Sequence, residues 1–136
     1  MSQAEEREEK KTILAVDDTA IILTRIVNTL RDRYRVITVN SGMRALRYLE
    51  LEKPDLILLD IQMEQKDGIE TLQEIRERKD RADIPVIMLT GVEDKDIVLK
   101  SAQLGVRDYI LKPFASADLL ERICRVLQEE ASKEEQ

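Results

Sequence analysis

Four apolar runs in this chain each end on a residue able to take part in phosphoryl chemistry. Ile13-Leu14-Ala15-Val16 leads into Asp17-Asp18, and Leu56-Ile57-Leu58-Leu59 leads into Asp60. Val86-Ile87-Met88-Leu89 ends on Thr90, and Tyr109-Ile110-Leu111 ends on Lys112-Pro113. If these runs are parallel strands, three carboxylates, a hydroxyl and an ammonium meet along one sheet edge. Open α/β sheets bind ligands there, in the crevice beyond the carboxyl ends of their strands. Two carboxylates about 4 Å apart repel by roughly 4 kcal/mol at an effective dielectric near 20, so three crowded acids need a cation or raised pKa values. An all-oxygen ligand set that keeps several waters suits Mg²⁺, or the similar Mn²⁺. A carboxylate beside such an ion can attack phosphorus and form an aspartyl-phosphate, and it needs no base because it is already ionised. Lys112 and Thr90 then supply positive charge and a hydrogen bond to the phosphoryl oxygens.

The elements that must position these groups follow from periodicity. Thr12–Val16 reads as a first strand. Residues 19–32 carry Ile22, Ile26 and Leu30 at helical spacing, and Tyr34–Val39 is rich in β-branched residues. Residues 42–52 place Met43, Leu46 and Leu49 on one helical face, closed by Pro54. Asp55–Leu59 is the third strand. Asp67-Gly68-Ile69-Glu70 reads as a capping box opening a helix to about Lys79. Ile84–Leu89 is the fourth strand, with Pro85 tolerable only near its start. Residues 93–104 open with acids and stop before Gly105, a favourable residue just past a helix end. Val106–Leu111 is the fifth strand and residues 116–130 the last helix, with Leu119, Leu120, Ile123, Val126 and Leu127 inward.

The pattern is an α/β fold, (βα)5. Its nearly continuous apolar strands fit a parallel sheet covered on both faces, and crossover handedness favours a doubly wound arrangement. A flavodoxin-like strand order 2-1-3-4-5 sets the switch point between the first and third strands, making Asp17, Asp18 and Asp60 neighbours. Residues 1–11 and 131–136 are charged, lack apolar periodicity and read as frayed tails around a domain spanning 12–130.

Composition narrows the function. At 136 residues the chain fits one domain. Net charge is −6 with no standout basic cluster, so a direct nucleic-acid partner is not expected. No apolar stretch approaches the roughly 20 residues of a membrane span, and the polar N-terminus is not a secretory signal. The single cysteine, Cys124, fits a reducing cytoplasm. The chain has no histidine, which excludes Ser-His-Asp and Cys-His hydrolases and His-ligated metal sites within it.

Taken together, from about Lys11 to Gln128, these residues resemble a response-regulator receiver domain of two-component signalling systems. The parts are Asp17-Asp18, Asp60 with Met63 and Gly68 downstream, Thr90-Gly91, and Lys112-Pro113, each at the end of its own strand. The resemblance implies that Asp60 is the phosphoacceptor. It implies Mg²⁺ held by Asp18, Asp60 and the Gln62 backbone carbonyl, with Asp17 acting mostly through water. Lys112 pairs with the phosphoryl group, Gly91 lies against it, Thr90 hydrogen-bonds it, and Tyr109 is the switch aromatic. The implied donor is a phosphohistidine on a sensor histidine kinase or histidine phosphotransfer protein. The output is a downstream protein bound on the face of the fourth helix, fifth strand and fifth helix, by a monomer or a weak phosphorylation-dependent dimer. Such a domain catalyses only its own phosphorylation and dephosphorylation. One departure stands out: Glu64-Gln65 follows Met63 where the family usually has proline, which makes that loop more acidic and less rigid. Gln62 and Val92 occupy positions where the family varies its hydrolysis rate.

Other readings compete. Asp17-Asp18 also suit helix N-cap acids, Lys112 a surface lysine at a turn, and Thr90-Gly91 a turn with an incidental hydroxyl. Tyr109 also suits a half-buried strand aromatic. Cys124 reads as an inert core thiol, and Glu74, Arg76, Glu77, Arg78 and Lys79 as a solvated face. A haloacid-dehalogenase-type phosphatase also uses aspartyl-phosphate, but it carries its second acid two residues after the first, where this chain has Thr19. A flavodoxin-like cofactor carrier lacks its phosphate loop here. With no room for an output domain in these residues, signalling is expected through protein contacts, as a phosphorelay intermediate, or as a phosphate sink.

Overall fold

The computed structural model describes residues 10–91 and 94–134. Five strands and five helices alternate: β1 (Thr12–Val16), α1 (Ala20–Leu30), β2 (Arg35–Val39), α2 (Gly42–Leu51), β3 (Leu56–Asp60), α3 (Gly68–Glu77), β4 (Val86–Thr90), α4 (Lys95–Gln103), β5 (Asp108–Leu111) and α5 (Ser116–Glu134). The strands form one sheet in the order β2-β1-β3-β4-β5, all neighbours parallel, as the apolar runs imply.

Strand side chains alternate between two cores, which is why the central strands are apolar throughout. Ile13, Ala15, Leu56, Leu58, Ile87 and Leu89 face α1 and α5, where they meet Ile26, Leu30, Leu119 and Ile123. Leu14, Val16, Ile57, Leu59, Val86 and Met88 face the other way, against Ala45, Leu46, Leu49, Leu72 and Ile75 of α2 and α3. Ile97 of α4 packs at the margin of this second core.

Several expectations change. Met43 is 52% exposed; the inward stripe of α2 is Ala45, Leu46 and Leu49. The last helix does not stop at 130 but continues to Glu134. Arg107, just before β5, holds Glu129 and Glu130 of this helix. Residues 1–9, 135 and 136 of the expected tails lie outside the described residues. Arg76 is not on a solvated face. Its guanidinium donates to the carbonyls of Leu104 (2.7 Å), Ala82 (3.0 Å), Ile84 (2.8 Å) and Gly105 (3.3 Å), joining the end of α3 to the loops before β4 and β5. Arg78 likewise donates to the Leu46 carbonyl at 3.2 Å. Cys124 is partly exposed rather than sealed in the core, with its sulfur 3.0 Å from the Tyr34 hydroxyl.

Side chains cap three helices. Ser41 accepts from the Arg44 amide, Asp67 from the Glu70 amide, and Asp94 from the amides of Asp96 and Ile97. Gly105, at φ +75°, terminates α4 in a left-handed conformation that other residues adopt only with strain.

Candidate functional site

The sheet register brings the strand ends together. Val16 pairs with Leu59, so Asp17 and Asp60 follow side by side on β1 and β3. Asp60 pairs with Leu89, and Thr90 with Leu111, which sets Thr90 and Lys112 at the next two strand ends. The Lys112 amide donates to the Thr90 carbonyl at 2.6 Å, extending the ladder by one bond. The Lys112–Pro113 peptide is cis.

Alternation decides where each side chain goes. Asp60 shares parity with Leu58 and faces the α1/α5 side, as does Lys112 with Ile110. Thr90 and Tyr109 share parity with Met88, on the α4 side. The set therefore splits across the sheet edge: acids and ammonium on one side, hydroxyl and aromatic on the other. Thr90 is fully buried and Tyr109 is half-buried.

The acids converge. Carboxylate oxygens of Asp17, Asp18 and Asp60 all lie within 4.8 Å of one another. Asp17 is fully buried and Asp60 is 2% exposed, while Asp18 is open to solvent. The Lys112 ammonium bridges the buried pair, 2.6 Å from Asp17 Oδ2 and 3.3 Å from Asp60 Oδ1. Neither acid of the pair caps α1. That position falls to Thr19, whose amide donates to Asp17 Oδ1 at 2.9 Å and whose own side chain makes no cap. Asp60 Oδ1 also accepts from the Gln62 amide at 3.2 Å. Oδ2 accepts no hydrogen bond from the described residues and is the oxygen left for a ligand.

Electrostatics follow from this crowding. Burial first, and the neighbouring Asp17 charge second, push the Asp60 carboxyl up from 3.8 to about 6, against the opposing pull of Lys112 and the Gln62 amide. Burial acts to lower Lys112, but its hydrogen bond to Asp17 and the charges of Asp60 and Asp17 outweigh that and hold its pKa above the ordinary value.

The loop after β3 closes over the acids in a way the sequence does not announce. The Glu64 amide donates to Asp18 Oδ2 at 3.4 Å, with Gln65 at φ +67° just beyond. These contacts use backbone groups, so no side-chain pattern marks them. Gly68 is different, because its need is visible as a glycine. A Cβ there would lie 2.3 Å from the Asp60 carbonyl oxygen and 2.7 Å from Ile61 Cα, so α3 can begin against the backbone of Asp60 only without a side chain. Gly91 is exposed, and a Cβ on it would sit 3.8 Å from Gln62 Oε1, which places the Gln62 side chain beside it at the rim. Val92 lies outside the described residues.

Comparison with known proteins agrees with this geometry. A family model of the response regulator receiver domain matches residues 13–124. The chain belongs to that family. It is 38% identical over 119 residues to the alkaline phosphatase synthesis transcriptional regulatory protein PhoP of Bacillus subtilis, covering 87% of this chain and 49% of the relative. The chain spans about half the length of the curated relatives it matches. A CheY-like response regulator receiver domain protein from Methanospirillum hungatei superposes with a TM-score of 0.87 at 31% identity, covering 92% of this chain and 99% of that one. The chemotaxis protein CheY4 of Vibrio cholerae superposes at 0.82 with 29% identity, covering 86% and 98%. Receiver domains are signalling domains that interact with histidine kinases or phosphotransfer proteins. The acidic cluster, three hard oxygen donors at a sheet edge, fits the Mg²⁺ site of this family. Among the described residues, no helix is long and apolar enough to cross a membrane.

Proposed function

We propose that this receiver domain takes a phosphoryl group onto Asp60 from a phosphohistidine on a kinase or phosphotransfer protein. The observation that carries this reading is the convergence of three carboxylates within 4.8 Å, two of them buried and bridged by Lys112. In the transfer, an Asp60 carboxylate oxygen forms the new P–O bond. The P–N bond to the donor imidazole breaks, and its electron pair leaves with the ring. Asp18, Asp60 and the Gln62 carbonyl would hold Mg²⁺, with Asp17 reaching it through water. When bound, the ion neutralises the acids and screens the incoming phosphoryl oxygens. Lys112 pairs with the transferred group, the Gly91 backbone lies against it, and Thr90 donates its hydroxyl to it. Autophosphorylation from small phosphodonors and autodephosphorylation use the same residues, and the chain has no histidine to supply a donor of its own.

Phosphate adds about 1.5 to 2 negative charges at this edge, and Lys112 and Thr90 respond to it. Tyr109 links that response to a binding face. It lines a groove of about 670 Å³ with Val98, Leu99, Ala102 and Leu111. Val98, Leu99 and Leu111 are 41%, 58% and 40% exposed, an apolar surface suited to a downstream protein. The test is acetyl phosphate with Mg²⁺, followed by intact mass. One phosphoryl addition is expected on the wild type and none on Asp60→Asn. An unmodified wild type, or equal labelling of the variant, refutes the assignment.

A further inference from the structure

The Lys112 ammonium must sit between Asp17 and Asp60, yet it hangs from the last residue before a short connection to α5. Little in the sheet fixes that connection. Its last ladder bond is the Lys112 amide to Thr90, and α5 supplies its first bond from the Leu119 amide to Ala115. Pro113 brings no N–H. Among the described residues, one side chain from outside donates to the backbone between these points: Arg25 on α1, whose Nη2 lies 2.5 Å from the Phe114 carbonyl. The same guanidinium carbon stands 4.8 Å above the Phe114 ring centroid. That ring is 4% exposed and belongs to the core shared by α1 and α5. One turn further along α1, the Thr29 hydroxyl lies 3.2 Å from the Ser116 hydroxyl at the start of α5. One face of α1 therefore grips the connection at two successive points.

The consequence is geometric. α1 starts directly after Asp17-Asp18, and the connection starts directly after Lys112, so a grip of α1 on Phe114 sets the span between acid and ammonium. We propose that Arg25 is a positioning residue for Lys112: by holding Phe114 through its carbonyl and its ring, it fixes the segment that presents the ammonium to Asp17 and Asp60. The catalytic consequence rests on the proposed role of Lys112 in phosphorylation of Asp60; the positional one does not. Arg25 touches neither the acids nor any group on them, and it acts through the backbone two residues beyond Lys112.

The test uses Arg25→Met, which keeps the aliphatic stem and removes the donors and the charge, and Arg25→Lys, which restores a cation with one point of contact. The primary readout is the rate at which an amine-acylating reagent labels each lysine, followed by peptide mass spectrometry. Lys112 has a side chain 18% exposed, and Lys66, with a side chain 23% exposed and bound to Glu74, serves as an internal control of similar burial. Lys112 is expected to label about three- to tenfold faster in Arg25→Met, as follows from losing a charged hydrogen bond at a partly exposed site. Lys66 should stay unchanged and Arg25→Lys should lie between. Phosphorylation by acetyl phosphate should slow in the same order. Unchanged Lys112 labelling in Arg25→Met, or acceleration of Lys66 and Lys112 alike, overturns the proposal by showing that Phe114 burial alone suffices or that the fold as a whole has loosened. A wild type that takes no phosphoryl group defeats the Asp60 assignment instead, while the labelling result still decides the role of Arg25.

Discussion

Replacing Asp60 by asparagine is expected to stabilise the metal-free protein at neutral pH while abolishing its response to Mg²⁺. The Asp60 carboxyl is pushed from 3.8 up to about 6, chiefly by burial and then by Asp17. A raised carboxyl pKa means that folding favours the protonated form. The contribution is fully favourable below the unfolded value near 3.8 and is lost as pH rises through about 6, after which the deficit is constant. At about 1.36 kcal/mol per pKa unit, a shift of some two units makes ionised Asp60 cost roughly 3 kcal/mol at neutral pH. Asparagine has nearly the same shape, keeps an oxygen for the Gln62 amide, and can donate toward Asp17. Imperfect pairing of a buried amide takes back part of the gain, leaving about 1–3 kcal/mol.

The assay is urea unfolding with a chelator present, at about pH 7.5 and again near pH 4. The variant should be the more stable protein at the higher pH, and most of its advantage should vanish at the lower, where the wild-type carboxyl is protonated in the folded state and the pH lies close to its unfolded value. Saturating Mg²⁺ should then rescue the wild type, by about 2.7 kcal/mol at a hundredfold excess over the dissociation constant, and leave the variant where it was. An asparagine variant less stable than wild type at neutral pH, or an advantage of equal size at both pH values, refutes the claim that crowded charge destabilises this site.

Gly68→Ala should cost about 1–3 kcal/mol in urea unfolding and weaken Mg²⁺ binding by calorimetry, because the added carbon meets the backbone of Asp60 and Ile61 rather than a side chain able to swing away. Arg76→Met should destabilise by at least about 2 kcal/mol, since four carbonyls lose a charged donor, and hydrogen exchange should accelerate first around Leu104 and Gly105. Asp17→Asn should lower the Asp60 pKa from about 6 toward its ordinary value, because it removes a repelling charge and leaves the Lys112 ammonium to Asp60; carboxyl carbon NMR titration reads the shift directly.

What the sequence discloses is whatever depends on neighbours along the chain. Continuous apolar runs such as Leu56–Leu59 mark strands buried on both faces, and the order of strand ends is enough to predict that Asp17 and Asp60 adjoin. The misreadings have a common origin in partners distant in sequence. Met43, Leu46 and Leu49 share a helical face by spacing, yet Gly42, Ala45, Leu46 and Leu49 are the buried set, and α2 lies so close to Thr71 of α3 at Gly42 that a Cβ there would meet the Thr71 hydroxyl. Arg76 sits among charges and reads as solvated. Its burial depends on carbonyls at 82, 84, 104 and 105, whose convergence only the folded chain creates. The anchoring of α5 at Glu129 and Glu130 likewise depends on Arg107, more than 20 residues earlier.

The site repeats this division. Residue types and their places at strand ends were readable, whereas the allocation of the single ammonium between two buried acids was not. That allocation matters for the chemistry. Lys112 stands nearer to Asp17 than to Asp60, 2.6 against 3.3 Å, so the ammonium belongs first to the acid that is not the proposed nucleophile. Asp60 is thereby left undercompensated, its pKa raised by burial first and by the Asp17 charge second. An arrangement in which Lys112 fully neutralised Asp60 would be more stable and less reactive, since a carboxylate locked in a strong ion pair is a poorer nucleophile. On the proposed role of Asp60, the buried acid pair has a use that its energetic cost alone would not suggest: Asp17 draws the ammonium aside, and Asp60 is left to a cation and a phosphoryl group.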